Sequence, residues 1–251
     1  MATDQQNPLM EAVAAGRVAE LEQFLATKEE PSAETIQSLL AKAAWESQLP
    51  VVEFLVSRYP SVPLNEETVR AAIYSSSTDL VSALLAKDPS IINWQFDRRG
   101  TPIALACVSK QPVEFVEFLL RAGADPNLDP DVTPLPLAGA AFHQDIGAIG
   151  VLLKYGAKLE GSGALGVAAS RGHEAVVRYL MERGARPETD TSKVGSPESA
   201  VHYAVRKGHL GVLRIFLEYG LERRMLMDIV TEEESKEGKD MSAVKELAAS
   251  Q

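Results

Sequence analysis

The 251-residue chain has room for one large domain or two small ones at about 150 residues each; 45% hydrophobic and 24% charged residues suit a folded rather than a disordered protein. No apolar run approaches the roughly 18 residues that cross a bilayer, and Met1 to Asn7 lack the basic and apolar regions of a secretory signal; a cytoplasmic or nuclear protein without membrane contact is expected. The net charge of −10 speaks against nucleic acid, whose binders present a basic footprint, and the single Cys107 leaves no internal disulfide or multi-cysteine zinc site.

Along the chain a unit of about 32 residues recurs. It opens with Asn7-Pro8-Leu9 and Gly16, and continues through weaker copies whose first-helix starts fall near Ser38 and Glu67, where Asp88-Pro89 stands in place of a Gly-Ala step. The strong copies follow. Thr101-Pro102-Ile103-Ala104-Leu105-Ala106 is echoed by Thr133-Pro134-Leu135-Pro136-Leu137-Ala138. Gly123-Ala124-Asp125-Pro126-Asn127 is echoed by Gly156-Ala157-Lys158 and Gly184-Ala185-Arg186-Pro187, each after a Leu-Leu or Leu-Met pair. Val201-His202-Tyr203-Ala204 with Gly208-His209 completes the series.

The local chemistry of one unit predicts helix, short turn, helix, glycine stop and protruding loop. Thr101 and Thr133 are expected N-caps with proline at the first helical position, and Pro136 falls in the first turn, where its missing N–H is harmless. Val116, Leu119 and Leu120, or Val177, Leu180 and Met181, give the second helix an apolar face at helical spacing. Gly123, Gly156, Gly184 and Gly220 stand where a left-handed C-cap suits glycine. No unit can bury its face alone, so the units must stack.

In these residues the chain resembles an ankyrin-repeat protein. The resemblance implies an all-α solenoid of stacked helix-turn-helix units with loop fingers over residues 1–220. Its repeats fall near 7–37, 38–66, 67–100, 101–132, 133–162, 163–198 and 199–220. Residues 221–251 would form a C-terminal cap and a partly mobile acidic tail: Met225, Leu226 and Ile229 cover the last repeat, Thr231 to Lys239 stays solvated, and Asp240 to Ala249 forms a short helix. It also implies that His173 and His209 in the inter-helix turns, and His202, make structural hydrogen bonds.

No nucleotide-binding, metalloprotease or nucleophile-elbow motif is present. The four histidines show no convergence into a zinc site, Cys107 reads as buried filler, and neither catalysis nor a cofactor is expected. The resemblance instead directs attention to the concave face of the first helices and to the finger tips. In this register that face collects Glu11, Lys42, Trp45, Tyr74, Leu105, Val108, Leu137, Phe142, Ser170, Arg171, Tyr203, Arg206 and Lys207. Aromatic and apolar residues ending in arginine and lysine have the make-up of an interface core with a charged end.

Within the finger Asn93 to Gly100, Trp94 and Phe96 either pack on the neighbouring finger or form a hot spot with Arg98 and Arg99. The longer finger from Arg186 to Ser199 is a second candidate for partner contact. The expected partner is therefore another protein, a peptide or helix with apolar anchors and acidic residues, met by a monomeric adaptor, inhibitor or assembly factor. The competing reading is a small-molecule site or enzyme pocket lined by Tyr74, Phe142, His143, Tyr203 and Arg206.

Overall fold

The computed structural model describes residues 8–26, 30–128, 133–188, 199–238 and 240–250. Its helices come in consecutive pairs. The first three are α1 (Pro8–Ala14) with α2 (Val18–Ala26), α3 (Ala33–Trp45) with α4 (Leu49–Arg58), and α5 (Glu66–Ser75) with α6 (Thr78–Lys87). A 3-10 turn at Pro89–Asn93 leads to α7 (Pro102–Val108) with α8 (Val113–Arg121) and α9 (Pro136–Phe142) with α10 (Ile146–Lys154). Then follow α11 (Ala164–Arg171) with α12 (Glu174–Met181), α13 (Ala200–Lys207) with α14 (Leu210–Glu218), and α15 (Arg223–Glu237) with α16 (Ser242–Ala249). The first member of each pair packs on the first member of the next, from α1 to α15, as one layer. Second members form the other layer through α2, α4 and α6, through α8 and α10, and through α12, α14 and α16. Among the described residues there is no strand, only a bridge between Phe96 and Gly100, so the chain is an all-α solenoid.

A left-handed residue between the two helices of each pair fixes the frame. In the first seven pairs it stands at Gly16, Ser47, Ser76, Lys110, Gln144, Gly172 and Gly208, with φ between +54° and +70°. Four residues earlier an alanine stands every time: Ala12, Ala43, Ala72, Ala106, Ala140, Ala168 and Ala204, all buried. An alanine there lets neighbouring first helices approach closely. Between the layers, Leu84, Leu119, Leu152, Leu180 and Phe216 are fully buried. Gly123, Gly156, Gly184 and Gly220, just beyond the second helices, take positive φ as expected.

Two local expectations are corrected. Thr101 caps α7, accepting from the Ala104 N–H at 3.3 Å, but Thr133 does not cap α9. A residue before proline is pushed out of the helical region. Leu135, ahead of Pro136, accordingly sits at φ −57°, ψ 153°, and α9 can begin only at Pro136. Thr133 is left with a buried hydroxyl that has no partner among the described residues.

The second correction concerns Thr231 to Lys239. The charged run is not solvated chain: through Glu237 it continues α15, and Glu233 is buried. Four glutamates and a lysine, all good helix formers, and a docked apolar side (Leu226, Ile229 and Val230) carry the helix through. Then α16 packs on α14 and α15 through Val244 and Ala248, adding an eighth helix pair to the stack.

A side chain at φ > 0 costs on the order of 1 kcal/mol relative to glycine. Lys110→Gly and Gln144→Gly, at exposed turn positions, are each expected to stabilise the stack by up to about 1 kcal/mol, read as a raised urea midpoint. Gly172→Ala is expected to do the reverse, because its Cβ would also meet His209 Nδ1 at 2.8 Å. Equal midpoints for Lys110→Gly and wild type would contradict the assigned strain.

Candidate functional site

Counting back from the left-handed residue defines what the first-helix layer exposes. Two positions before it stand Trp45, Tyr74, Val108, Phe142, Ser170 and Arg206, one for each repeat after the first. Three of these are among the most exposed large apolar side chains: Trp45 at 46%, Val108 at 41% and Phe142 at 43%. Each is the last residue of its helix.

The turns hold this row in register. The residue after the left-handed one reaches back to the preceding repeat: Gln48 donates to the Ala14 carbonyl at 2.9 Å, and Gln111 to that of Tyr74 at 3.4 Å. His173 Nδ1 donates to Ala141 O and His209 Nε2 to Ser170 O, both at 3.1 Å. His143, just before the left-handed Gln144, donates from Nε2 to Val108 O at 2.7 Å. His202 bonds within its own repeat, to the Ser199 hydroxyl at 2.9 Å. All four histidines thus have structural partners, and among the described residues no cluster of metal-binding side chains forms.

Along the row, Trp45 and Tyr74 stack at 5.6 Å with an 18° interplanar angle. The Arg171 guanidinium lies 3.5 Å from the centre of the Phe142 ring, whose edge meets His143 at 5.0 Å. Val108, Pro134, Ala138, Gly139, Phe142 and Val167 line an open apolar cleft of about 140 Å³ beside the Phe142 ring.

Several predicted site residues lie elsewhere. Leu137 is buried because the position seven before the turn residue points between helices, as Ile103, Leu165 and Val201 also do. Leu105 is buried as well, although the same position leaves Val167 and Tyr203 half-buried in their repeats. Phe96 is buried as well. Its N–H bonds the Gly100 carbonyl at 2.8 Å and Arg98 takes φ +56°, so the finger closes tightly and folds the ring inward. Trp94 packs against the core and donates its indole N–H to Ser90 Oγ at 3.0 Å. Arg98 and Arg99 stay exposed without an aromatic companion at the tip. The long finger proposed from Arg186 to Ser199 lies outside the described residues over 189–198.

Arg206 is engaged inside the molecule. Its Nε and Nη2 donate to the two carboxylate oxygens of Glu233 at 3.0 and 3.4 Å. The Arg206 side chain is 25% exposed and that of Glu233 1%. Tyr203 is half-buried, and Lys207 is exposed at the end of α13. Glu233, Gly139 and Val167 were not singled out from sequence. The turn residues would have indicated the last two, because both lie five positions before one.

Elsewhere charges clip neighbouring second helices together, as between α8 and α10. Glu117 Oε1 accepts from Lys154 at 2.9 Å, Arg121 at 3.2 Å and Tyr155 at 3.4 Å. The Lys154 bond, with Arg121 beside it, holds the Glu117 carboxyl below its usual range. Burial pushes the Cys107 thiol up, far from the nucleophilic form.

Family comparisons agree with the repeat frame. A family described as ankyrin repeats in three copies matches residues 137–225, and a single ankyrin repeat matches 100–130. The ankyrin repeat and KH domain-containing protein mask-1 of Caenorhabditis elegans is 25% identical over 179 residues, 68% of this chain. The match spans only 7% of that protein's length. Among solved structures, the ankyrin repeat domain of Bcl-3, a member of the IkappaB protein family, superposes with a TM-score of 0.59 at 20% identity. That match covers 76% of this chain and 97% of that one.

Removing one partner of a hydrogen-bonded buried charge costs about 2 kcal/mol when the other can rehydrate. Glu233→Ala is therefore expected to lower the opening free energy of α15 by about that amount, measured by amide hydrogen exchange. Cys107 is expected to stay unreactive toward a thiol reagent until urea unfolds its repeat; prompt labelling of the native protein would contradict its burial.

Proposed function

We propose that this chain, whose residues 100–130 and 137–225 match ankyrin repeats, is a protein-interaction scaffold that binds a partner protein through the outward row of its first-helix layer. One observation carries this reading: four consecutive repeats place Trp45, Tyr74, Val108 and Phe142 on one face, three of them exposed large apolar groups. Soluble monomers rarely expose apolar groups contiguously unless something covers them. Trp and Arg are also the side chains that dominate interface energetics.

Rigid presentation is the mechanism. Each row member sits at the end of a helix fixed by a bond to its neighbour, so little side-chain ordering is left for the binding step. The role is non-catalytic, that of an adaptor, inhibitor or assembly factor working as a monomer. A single buried thiol suits a reducing compartment, cytoplasmic or nuclear. The alternative pocket of Tyr74, Phe142, His143, Tyr203 and Arg206 draws no comparable support: His143 is committed to Val108, and Arg206 to Glu233.

The test is quantitative capture from native extract by wild type and by Trp45→Ala with Phe142→Ala. Two lost hot-spot side chains at about 2 kcal/mol each correspond to a loss of capture of a hundredfold or more. Circular dichroism and the urea midpoint establish that the variant is folded. Undiminished capture by the folded variant would remove the row from consideration.

A further inference from the structure

The apolar cleft beside Phe142 has a definite origin in the sequence. Five positions before the left-handed residue, the repeats on either side carry Leu105 and Val167, and the next carries Tyr203. In the repeat between Leu105 and Val167 the position is Gly139. Without a side chain there, α9 approaches α7 so closely that a Cβ on Gly139 would lie 3.1 Å from Val108 N and Cγ2. A notch remains, walled by Val108, Phe142 and Val167 and floored by Ala138 and Gly139. Its lining is apolar, so it suits a branched aliphatic or aromatic side chain rather than a polar one.

On one rim of this notch stands a cation. Arg171 is exposed and lies flat on the Phe142 ring, and among the described residues no carboxylate pairs with it. Phe142 thus serves both features: one part of the ring walls the notch and its face carries the guanidinium. The surrounding segment is the basic part of an acidic chain, with 8 bases against 6 acids in residues 163–220. A guanidinium so placed still presents its N–H edges for bidentate contact with a carboxylate.

We propose that this notch and Arg171 form a two-point site for a partner segment in which a leucine-sized apolar residue is followed by aspartate or glutamate. This inference rests on the partner-binding reading above and adds the partner's local chemistry. The apolar side chain enters the notch, and the carboxylate that follows it meets Arg171 across the Phe142 ring that borders both. Binding on the row without this pair is the bland alternative, and the two are separable.

The probe is a random-peptide library selected on the full-length wild-type protein, with the selected peptides re-measured on two variants. Val167→Trp fills the notch from a partly exposed position without removing core packing, and Arg171→Glu reverses the charge. The expected result is enrichment of an aliphatic or aromatic residue followed by Asp or Glu. Affinity should fall at least tenfold in each variant, and replacing the peptide's acid by lysine should have a similar effect. Absence of enrichment, enrichment without the apolar–acidic pair, or affinities unchanged in both folded variants would overturn the proposal. If Trp45→Ala with Phe142→Ala abolishes capture while Val167→Trp and Arg171→Glu do not, the row binds its partner but this two-point site is wrong. If neither pair of substitutions matters, the row itself has failed.

Discussion

Short first helices cannot persist alone, and this stack resolves that by borrowing donors from the next repeat. The helices α7 and α9 have 7 residues each, so most of their carbonyls lie in the unsatisfied last turn. Gln48, Gln111, His143, His173 and His209 each reach back to such a carbonyl in the preceding repeat. The left-handed residue is what aims them, which explains why it persists where the side chain is Ser47, Ser76, Lys110 or Gln144 and the backbone is strained. On the finger side Asn93 and Asn127 do an equivalent job. Each donates to a glycine carbonyl of the next repeat, Gly123 or Gly156, and accepts from the Asp125 or Lys158 N–H beyond it. Two such ladders, one at the turns and one at the fingers, set the register that turns isolated side chains into a row.

That dependence also explains which features were legible in the sequence. The period could be read from Gly123, Gly156 and Gly184 and from the Thr-Pro steps because those residues answer to local backbone geometry. Trp45, Phe142 and Arg171 could be placed on the exposed face by counting residues along repeats. Leu105 and Leu137 could not, because one helical position decides between the surface and the helix interface. Phe96 was misjudged for a different reason. Its neighbours Asp97, Arg98 and Arg99 look solvated, but a single left-handed residue and one backbone bond tuck the ring under them. In Thr231 to Glu237 the charge pattern concealed a helix whose buried side holds a carboxylate, Glu233, matched to an arginine 27 residues earlier.

One interface departs from the ladder, and it affects how the aromatic row is understood. Between the second and third repeats the position that carries Gln48, Gln111, His173 or His209 elsewhere is Ser77, which instead caps α6 by accepting from the Leu80 N–H at 3.2 Å. Asp145 caps α10 in the same way, but there His143 supplies the bond across the junction. At the Ser77 junction Gln37 bonds the Pro63 carbonyl at 2.9 Å, and the Trp45–Tyr74 stack lies across the same junction. Aromatic pairs contribute about 1 kcal/mol beyond their burial. The stack therefore has a structural use at the place where the usual bond is missing, while Trp45 stays exposed in the row.

Phe142 is in a different position. Its junction already has the His143 and His173 bonds, so the ring is not needed to join the repeats, and yet it remains exposed with Arg171 laid over it. At the far end of the row Arg206 has Glu233 as an internal partner, and only α15 of the added eighth pair supplies it. The C-terminal helices thus neutralise the last cation of the face, while the one at Arg171 stays open beside the Gly139 notch. Structural demands account for the two ends of the row, Trp45 with Tyr74 and Arg206 with Glu233. The stretch they leave unexplained, Val108 to Arg171, is where binding energy has the fewest competing uses.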